Sequence, residues 1–269
     1  MRTRQRGVAL ISVLLVMSLA LLIIGGVLRS HRLMLQSSGQ QVQQMHLRQL
    51  AVAGESRALA TLQEDAGLNA VFDLDDAQIQ VEIEDLAGRF NLNAVLIQGQ
   101  IDQVTLNRWA RLLVLLELPE MRLEQVGALR DLSQLRLLPG IDGQLLRRLE
   151  PWVAVLPTDA ALNISTAPAL LLRSLDDIDA VTADALVQQR TTSLWPSVQA
   201  FTNDPLLAGA DVSSHGLGID SRWFRINVQV AQGQSRLRLS TDVERDPKTR
   251  QFNVLQRRLL PSNPHEISP

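Results

Sequence analysis

Apolar residues follow three different rhythms along this chain. From Val8 to Leu28 they are continuous: 21 residues carry no charge and fourteen are Leu, Ile or Val. At about 1.5 Å per residue that run makes a helix of roughly 31 Å, close to the ~30 Å hydrocarbon core of a bilayer. Further on the rhythm becomes helical and one-sided. Leu47, Leu50, Ala51, Gly54, Ala58 and Leu62 recur at steps of three and four, while Gln49, Glu55, Arg57 and Gln63 face away. No proline interrupts the two regions, so the pattern predicts one helix from Val8 to about Glu64, about 85 Å long. The weak stretch "QSSGQQVQQ" contains Gly39, where the reading places a bend. A break there would instead leave a membrane anchor and a separate helix.

The third rhythm is alternation. Ile79, Val81 and Ile83 alternate with Gln78, Gln80, Glu82 and Glu84, which predicts a strand with one buried face. "AGR" then turns the chain, apolar contact resumes at Phe90, Leu92 and Val95, and Asn91 and Asn93 flank a turn or cap. Three more strands are predicted near the C-terminus. Phe224, Ile226, Val228 and Val230 mark the first, Leu237, Leu239 and Val243 the second, Phe252 and Val254 the third. "AQGQS" and "RDPKTR" supply their turns. Between Asp102 and Phe201 the periodicity is helical. "VTLNRWARLLVLLEL" runs to Pro119, and two helix–hairpin–helix phrases follow, one turning at Pro139–Gly140 and one at Asp176–Asp179. Ser165 or Thr166 is the expected cap of the helix begun at Pro168. Strand signals on both sides of a helical block define an α+β chain with an insertion.

Composition removes several kinds of chemistry. There is no cysteine, hence no disulfide or thiolate ligand, and the net charge of −2 gives no global case for nucleic acid. Helix–hairpin–helix elements often hold DNA backbone, but Glu120–Trp152 carries five basic and five acidic residues and Thr158–Phe201 two basic and five acidic. That balance disfavours phosphate and favours protein packing. The four histidines (His31, His46, His215 and His265) have no metal-ligand spacing. Ser213, His215 and Asp211 lie too close in sequence to imply a triad. The acidic knots Asp73–Asp76 and Asp176–Asp179 read as solvated surface, and the four tryptophans as core anchors. From Asp220 onward nine basic residues face five acidic ones, which suits an outer sheet face. No catalytic site is expected.

Arg2, Arg4 and Arg6 before the apolar run hold the N-terminus in the cytoplasm. The run is longer than a signal-peptide core, and "GGVLRSHR" offers no clear small-residue cleavage site. Charge, Gly7 and then an uninterrupted apolar helix resemble a type IV prepilin leader. That resemblance implies cleavage after Gly7 and a mature chain beginning at Val8. The fifth mature position, usually glutamate in pilins, is Ser12, and a subunit without that carboxylate suits a filament end. "EDLAGRFNLNAV", then "LSQLRLLPGID" and "LNISTAPALLLRSL", in that order after "RGVALISVLLVM", resemble the K subunit family of minor pseudopilins in type II secretion systems.

That family resemblance implies a long helix packed on a small antiparallel sheet, with an inserted all-α domain of helix–hairpin–helix (SAM-like) type. The boundaries read as a leader at 1–7, a transmembrane helix at 8–28, a first pilin-like part at 29–98, an inserted helical domain at 99–218, closing strands at 219–261 and a disordered tail at 262–269. The family implies a tip position that starts and caps assembly. It also implies partners of I and J type, the major pseudopilin, the prepilin peptidase and the bacterial inner membrane, with the head in the periplasm. Its calcium is associated with an acidic, tyrosine-bearing insertion; this chain has no such cluster and no tyrosine, so no cofactor is assigned. Two other readings remain open: a membrane-anchored DNA-uptake protein using the hairpins, and a secreted protein starting near Ser30.

Overall fold

The apolar run and the amphipathic stripe form one helix, α1 (Arg4–Gln63), unbroken at Gly39. The computed structural model describes residues 4–64 and 69–261; residues 1–3 of the leader and the tail 262–269 lie outside the described residues. Among the described residues the helix already includes Arg4–Gly7, ahead of the expected start at Val8. Arg4, Gln5 and Arg6 are good helix formers, and the roughly 1 kcal/mol cost of Gly7 is small beside the run that follows. All six stripe residues are buried.

The chain then runs through β1 (Asn69–Leu74), β2 (Ala77–Asp85), β3 (Phe90–Asn91), β4 (Leu96–Ile97), β5 (Gln100–Ile101), α2 (Gln103–Leu115), α3 (Gly143–Leu149), β6 (Val153–Ala154) and β7 (Leu162–Asn163). It continues with α4 (Ala169–Arg173), α5 (Ala180–Thr192), α6 (Val198–Thr202), β8 (Leu217–Gly218), β9 (Trp223–Gln232), β10 (Ser235–Arg245) and β11 (Phe252–Leu260). One five-stranded sheet has the order β1-β2-β9-β10-β11, antiparallel throughout. The chain therefore leaves the sheet after β2 and re-enters beside it at β9.

The strand at 77–85 follows the predicted alternation, with Ile79, Val81 and Ile83 buried. Ile226, Val228 and Val230 meet them from β9, and Leu237, Leu239 and Val243 from β10. This face receives the α1 stripe. β1 was not expected. It is an edge strand in which Val71 and Leu74 stay exposed, so no alternation marks it. The first acidic knot is its turn: Leu74 pairs with Ala77, and Asp75 and Asp76 both take positive φ (50° and 58°), as a tight two-residue hairpin requires.

The excursion between β2 and β9 has its own core, built around Trp109, Leu112, Leu135, Leu149, Ile164, Leu171, Leu172, Leu186 and Phe201. Phe90 lies 5.4 Å from Trp109, and Trp195 meets Phe201 edge-on at 5.0 Å. Phe90, Leu92 and Val95 belong to this core, so it draws on residues before position 99. The excursion is not all helical. β3 pairs with β6 and β7 with β8, each a parallel pair of two residues, because short parallel contacts satisfy backbone groups where the chain returns to the sheet.

Both hairpins are present. "LSQLRL" is a 3₁₀ helix (Leu132–Leu137) rather than an α-helix, Gly140 turns at φ +80°, and α3 follows. In the second, α4 and α5 flank Asp177 at φ 54°. Neither Ser165 nor Thr166 caps α4. Its N-cap is Pro168, with no side-chain bond, because the Thr166 hydroxyl donates to Asp85 instead.

Candidate functional site

The arrangement most relevant to function is a rod joined to a head. No acidic residue precedes Glu55 in the sequence. Leu14–His31 is an 18-residue stretch of α1 long and apolar enough to cross a membrane, and none of it is buried by the rest of the chain. Leu14, Leu15, Val16, Met17, Leu21, Leu22 and Ile23 all stand exposed. Gly7, Val8 and Ser12 lie in α1 ahead of this stretch, and their side chains are outside the described residues. Gln43 ties the rod to the head, donating to the Ser235 hydroxyl at 2.8 Å.

Past Gln43 the rod is seated tightly. A Cβ added at Gly54 would lie 2.7 Å from Val228 Cγ1 and 3.0 Å from Ile79 Cγ2, so glycine sets the helix-to-sheet distance here. Glu55, expected on the polar face, is 2 % exposed and corrects that reading. It sits at the stripe's margin, where β10 and β11 reach it. The Thr241 hydroxyl donates to Oε2 at 2.8 Å, and Arg257 donates from Nη2 to Oε1 at 2.6 Å and from Nε to Oε2 at 2.9 Å. Donating to the Glu55 carboxylate raises the Arg257 guanidinium above its ordinary pKa. On the other flank the Arg57 guanidinium stands 5.2 Å over the Phe72 ring.

The second joint lies between the sheet and the helical block, and the phrase "EDLAGRFNLN" builds it. Asp85 ends β2 and accepts three bonds: Ala87 N at 2.8 Å, Asn163 Nδ2 at 2.7 Å and Thr166 Oγ1 at 2.6 Å. Glu84 takes Arg89 through both oxygens, at 2.5 and 2.6 Å, and Arg89 also reaches the Glu150 carbonyl at 2.8 Å. Gly88 presses on Thr166, where a Cβ would meet Oγ1 at 2.8 Å. Asn91 accepts from the amides of Asn93 and Leu156 and donates to the carbonyls of Pro157 and Ala160. Asn93 donates to the carbonyls of Leu129 and Leu156 and accepts from Leu129 N. The two asparagines, read as turn flanks, are thus buried staples between strands of chain far apart in sequence. The burial was not legible, because isolated Asn in a turn-rich phrase reads as solvent-facing.

The residues considered for chemistry are engaged structurally. His215 pairs through Nε2 with Asp102, and Ser213 Oγ accepts from the His215 backbone rather than facing its ring. Burial pushes the Asp102 carboxyl up, but bonds from Thr105 and His215 outweigh it and hold the group below its usual value. In the second acidic knot, Asp176 takes Arg111 at 2.8 Å and Arg108 at 3.4 Å, Asp177 forms the turn, and Asp179 caps α5 through Thr182 N. Asp142 caps α3 the same way, through the amides of Gln144 and Leu145. The hairpin amides that a phosphate would need are therefore spent on aspartates. Trp109 and Trp195 are buried with their N–H groups bonded to Met121 O and Asp204. Among the described residues no group of three or more His, Cys, Asp or Glu converges as a metal site would require.

Residues 162–220, from β7 to just short of β9, match the family model of type II secretion system protein K. The type II secretion system protein K of Pseudomonas aeruginosa is 28 % identical, the match covering 91 % of this chain and 90 % of that protein. That of Klebsiella pneumoniae is 27 % identical over 96 % of this chain and 97 % of its own length. The resemblance to type II secretion system protein K holds along nearly the whole chain. The fold agrees. A chain in the crystal structure of the GspK-GspI-GspJ complex from enterotoxigenic Escherichia coli superposes with a TM-score of 0.71 at 22 % identity, covering 84 % of this chain and 99 % of that one. The chain is thus similar to a secretion pseudopilin, a structural class of protein, and its apolar N-terminal helix fits an inner-membrane anchor.

Proposed function

We propose that this chain is a minor pseudopilin at the tip of a type II secretion pseudopilus, where it starts assembly and caps the filament for export of folded proteins. The observation that carries the reading is the rod itself: one helix whose C-terminal third is seated on a sheet by Gly54 and Glu55, while Leu14–His31 is left uncovered. Apolar surface of that extent needs lipid or sister helices.

In this reading the chain spans the bacterial inner membrane once, with the arginines in the cytoplasm and the head in the periplasm. The prepilin peptidase cuts between Gly7 and Val8. The new amine of Val8 and the missing carboxylate at Ser12 then set how the subunit seats. Lacking a glutamate there, it cannot make the buried carboxylate–amine pair with a neighbour, whereas an end position does not require it. The I- and J-type minor pseudopilins are the neighbours, supported by the three-protein complex in which the structural relative was crystallised. The major pseudopilin follows below. The helical block, taken as 99–218, makes a head too broad for side-on stacking, and the joints from rod to sheet and from sheet to block keep that breadth fixed over the rod.

N-terminal sequencing of protein extracted from membranes of cells expressing the peptidase tests the reading. A start at Val8, abolished by substitution of Gly7, is the expected result. A start at Met1 in those cells would overturn it, as would a soluble product beginning near Ser30. Labelled chain spread evenly along the filament would remove the tip assignment.

A further inference from the structure

The five-stranded sheet carries opposite charge at its two edges. From Asn69 to Asp85, across β1 and β2, there are six acidic residues and no basic one; from Ser235 to Leu260, across β10 and β11, there are seven basic and three acidic. On the acidic side Asp73, Asp75, Asp76 and Glu82 are exposed. On the basic side two of the three carboxylates are engaged within the fold. Asp242 takes Arg225 at 2.7 Å and Arg258 at 3.1 Å, and Asp246 accepts from the amides of Lys248 and Thr249. Arg236, Lys248, Arg250 and Arg257 are exposed there, so this edge presents a net positive surface.

β11 ends the sheet order, so one side of its backbone has no strand beside it among the described residues. None of its nine residues is buried, and Leu255 and Leu259 are 55 % and 52 % exposed. The rod adds to this apolar surface. Gln43 meets Ser235 and Glu55 meets Thr241, so α1 and β10 run in the same direction. Val52, exposed and one turn before Glu55, therefore stands level with Leu239 and its β11 partner Leu259. An open edge of this length is a template for another strand. Two arginines and no carboxylate in β11 disfavour pairing with a second β11, because like charges would meet; the same charge selects an acidic strand. The β1 of a second copy is acidic but only six residues long. With both rods upright in one membrane it would run parallel to β11, the weaker ladder.

We propose that β11 is a docking edge for an extended segment of a neighbouring protein in which aliphatic and acidic side chains alternate. The segment adds antiparallel to β11 as a sixth strand, with its aliphatic face on Leu259 and Val52 and its carboxylates on the opposite face beside Arg258. The identity of that neighbour as another pseudopilin rests on the tip reading. The charge of the sheet then decides on which side the neighbour sits: β11 accepts it and β1 repels it.

The test uses the full chain in phosphatidylcholine nanodiscs, with empty nanodiscs as the blank and a dye-labelled nonapeptide alternating valine and glutamate as the probe. Fluorescence anisotropy is expected to show saturable binding, about tenfold tighter than for the valine–lysine peptide and weakened by salt. Hydrogen exchange is expected to slow over 252–260 on binding and to stay unchanged over 69–74. Leu255→Glu with Leu259→Glu should weaken binding about tenfold, whereas Val71→Glu on the other edge should leave it unaltered. A fully N-methylated probe keeps its carboxylates but has no amide to donate, and should not bind. No saturable binding, equal binding of the two peptides, undiminished binding of the N-methylated probe, or protection at 69–74 overturns the proposal. Protection of 252–260 without any peptide, lost on deleting 262–269 or on dilution, would give the edge to the chain's own tail or to a second copy and overturn it too. None of these readouts depends on cleavage after Gly7, so failure of the docking edge and failure of the start at Val8 are seen separately.

Discussion

Arg257 at the sheet's edge closes on Glu55 of the rod through paired bonds of 2.6 and 2.9 Å, and the two ends of the pair are buried very unequally. The Glu55 side chain is 2 % exposed, that of Arg257 51 %. The consequences of breaking the pair are therefore unequal too. Arg257→Ala leaves a buried carboxylate with only the Thr241 hydroxyl and should destabilise the head by about 3 kcal/mol. Glu55→Gln removes the charge that needed compensation, keeps an acceptor for Thr241 and lets Arg257 turn to water; it should cost about 1 kcal/mol. Urea unfolding of the two variants against the natural chain measures the order.

Gly54 and Gly39 lie in the same helix and should respond oppositely to alanine. At Gly54 the new methyl meets Val228 and Ile79 under contact distance, and the expected loss is about 1–3 kcal/mol with a displaced helix. Nothing lies within 4 Å of a Cβ at Gly39, so alanine there should gain up to about 1 kcal/mol of helix stability. Thermal melts followed by circular dichroism separate the two.

Asp85 is the hub of the second joint. Asp85→Ala strands the Asn163 amide, the Thr166 hydroxyl and the Ala87 N–H, and should cost about 3 kcal/mol. The loss should be local. Limited proteolysis is expected to open the segment 86–92 first while α1 stays protected on the sheet; simultaneous loss of both would show that the joints are not independent.

The helical block should resist mild acid and fail in strong acid. Burial raises Asp102, Asp176 and Asp204, but bonds from Thr105 and His215, from Arg111 with the nearby Arg108 charge, and from Trp195 with Leu206 N outweigh it. All three are held below the ordinary 3.8. A folded-state pKa lower than the unfolded one stabilises above the unfolded value and is lost as pH falls through the folded value. These groups should thus contribute a constant stabilisation between neutral pH and about pH 5, and unfolding midpoints should drop as pH falls below 3.8. Asp176→Asn should lower the neutral midpoint and flatten the acid limb.

Periodicity alone determined the rod, its buried stripe from Leu47 to Leu62, the alternating faces of β2, β9 and β10, and the two hairpins around Gly140 and Asp177. Each of these follows from local spacing, since a helix or strand that buries one face must repeat apolar residues at its own period. The ordered phrases carried the resemblance to type II secretion system protein K.

What the spacing left open were the contacts between elements. Glu55 read as surface because its partners, Thr241 and Arg257, stand 186 and 202 residues away. Asn91 and Asn93 read as turn residues because nothing nearby shows that Pro157 and Leu129 would fold onto them, and no local signal marked Asp85 as the partner of Asn163. The edge strand β1 showed no period because a strand exposed on its outer edge needs none. A polar side chain becomes a core residue only when distant chain brings it a partner, and that match is made by tertiary structure.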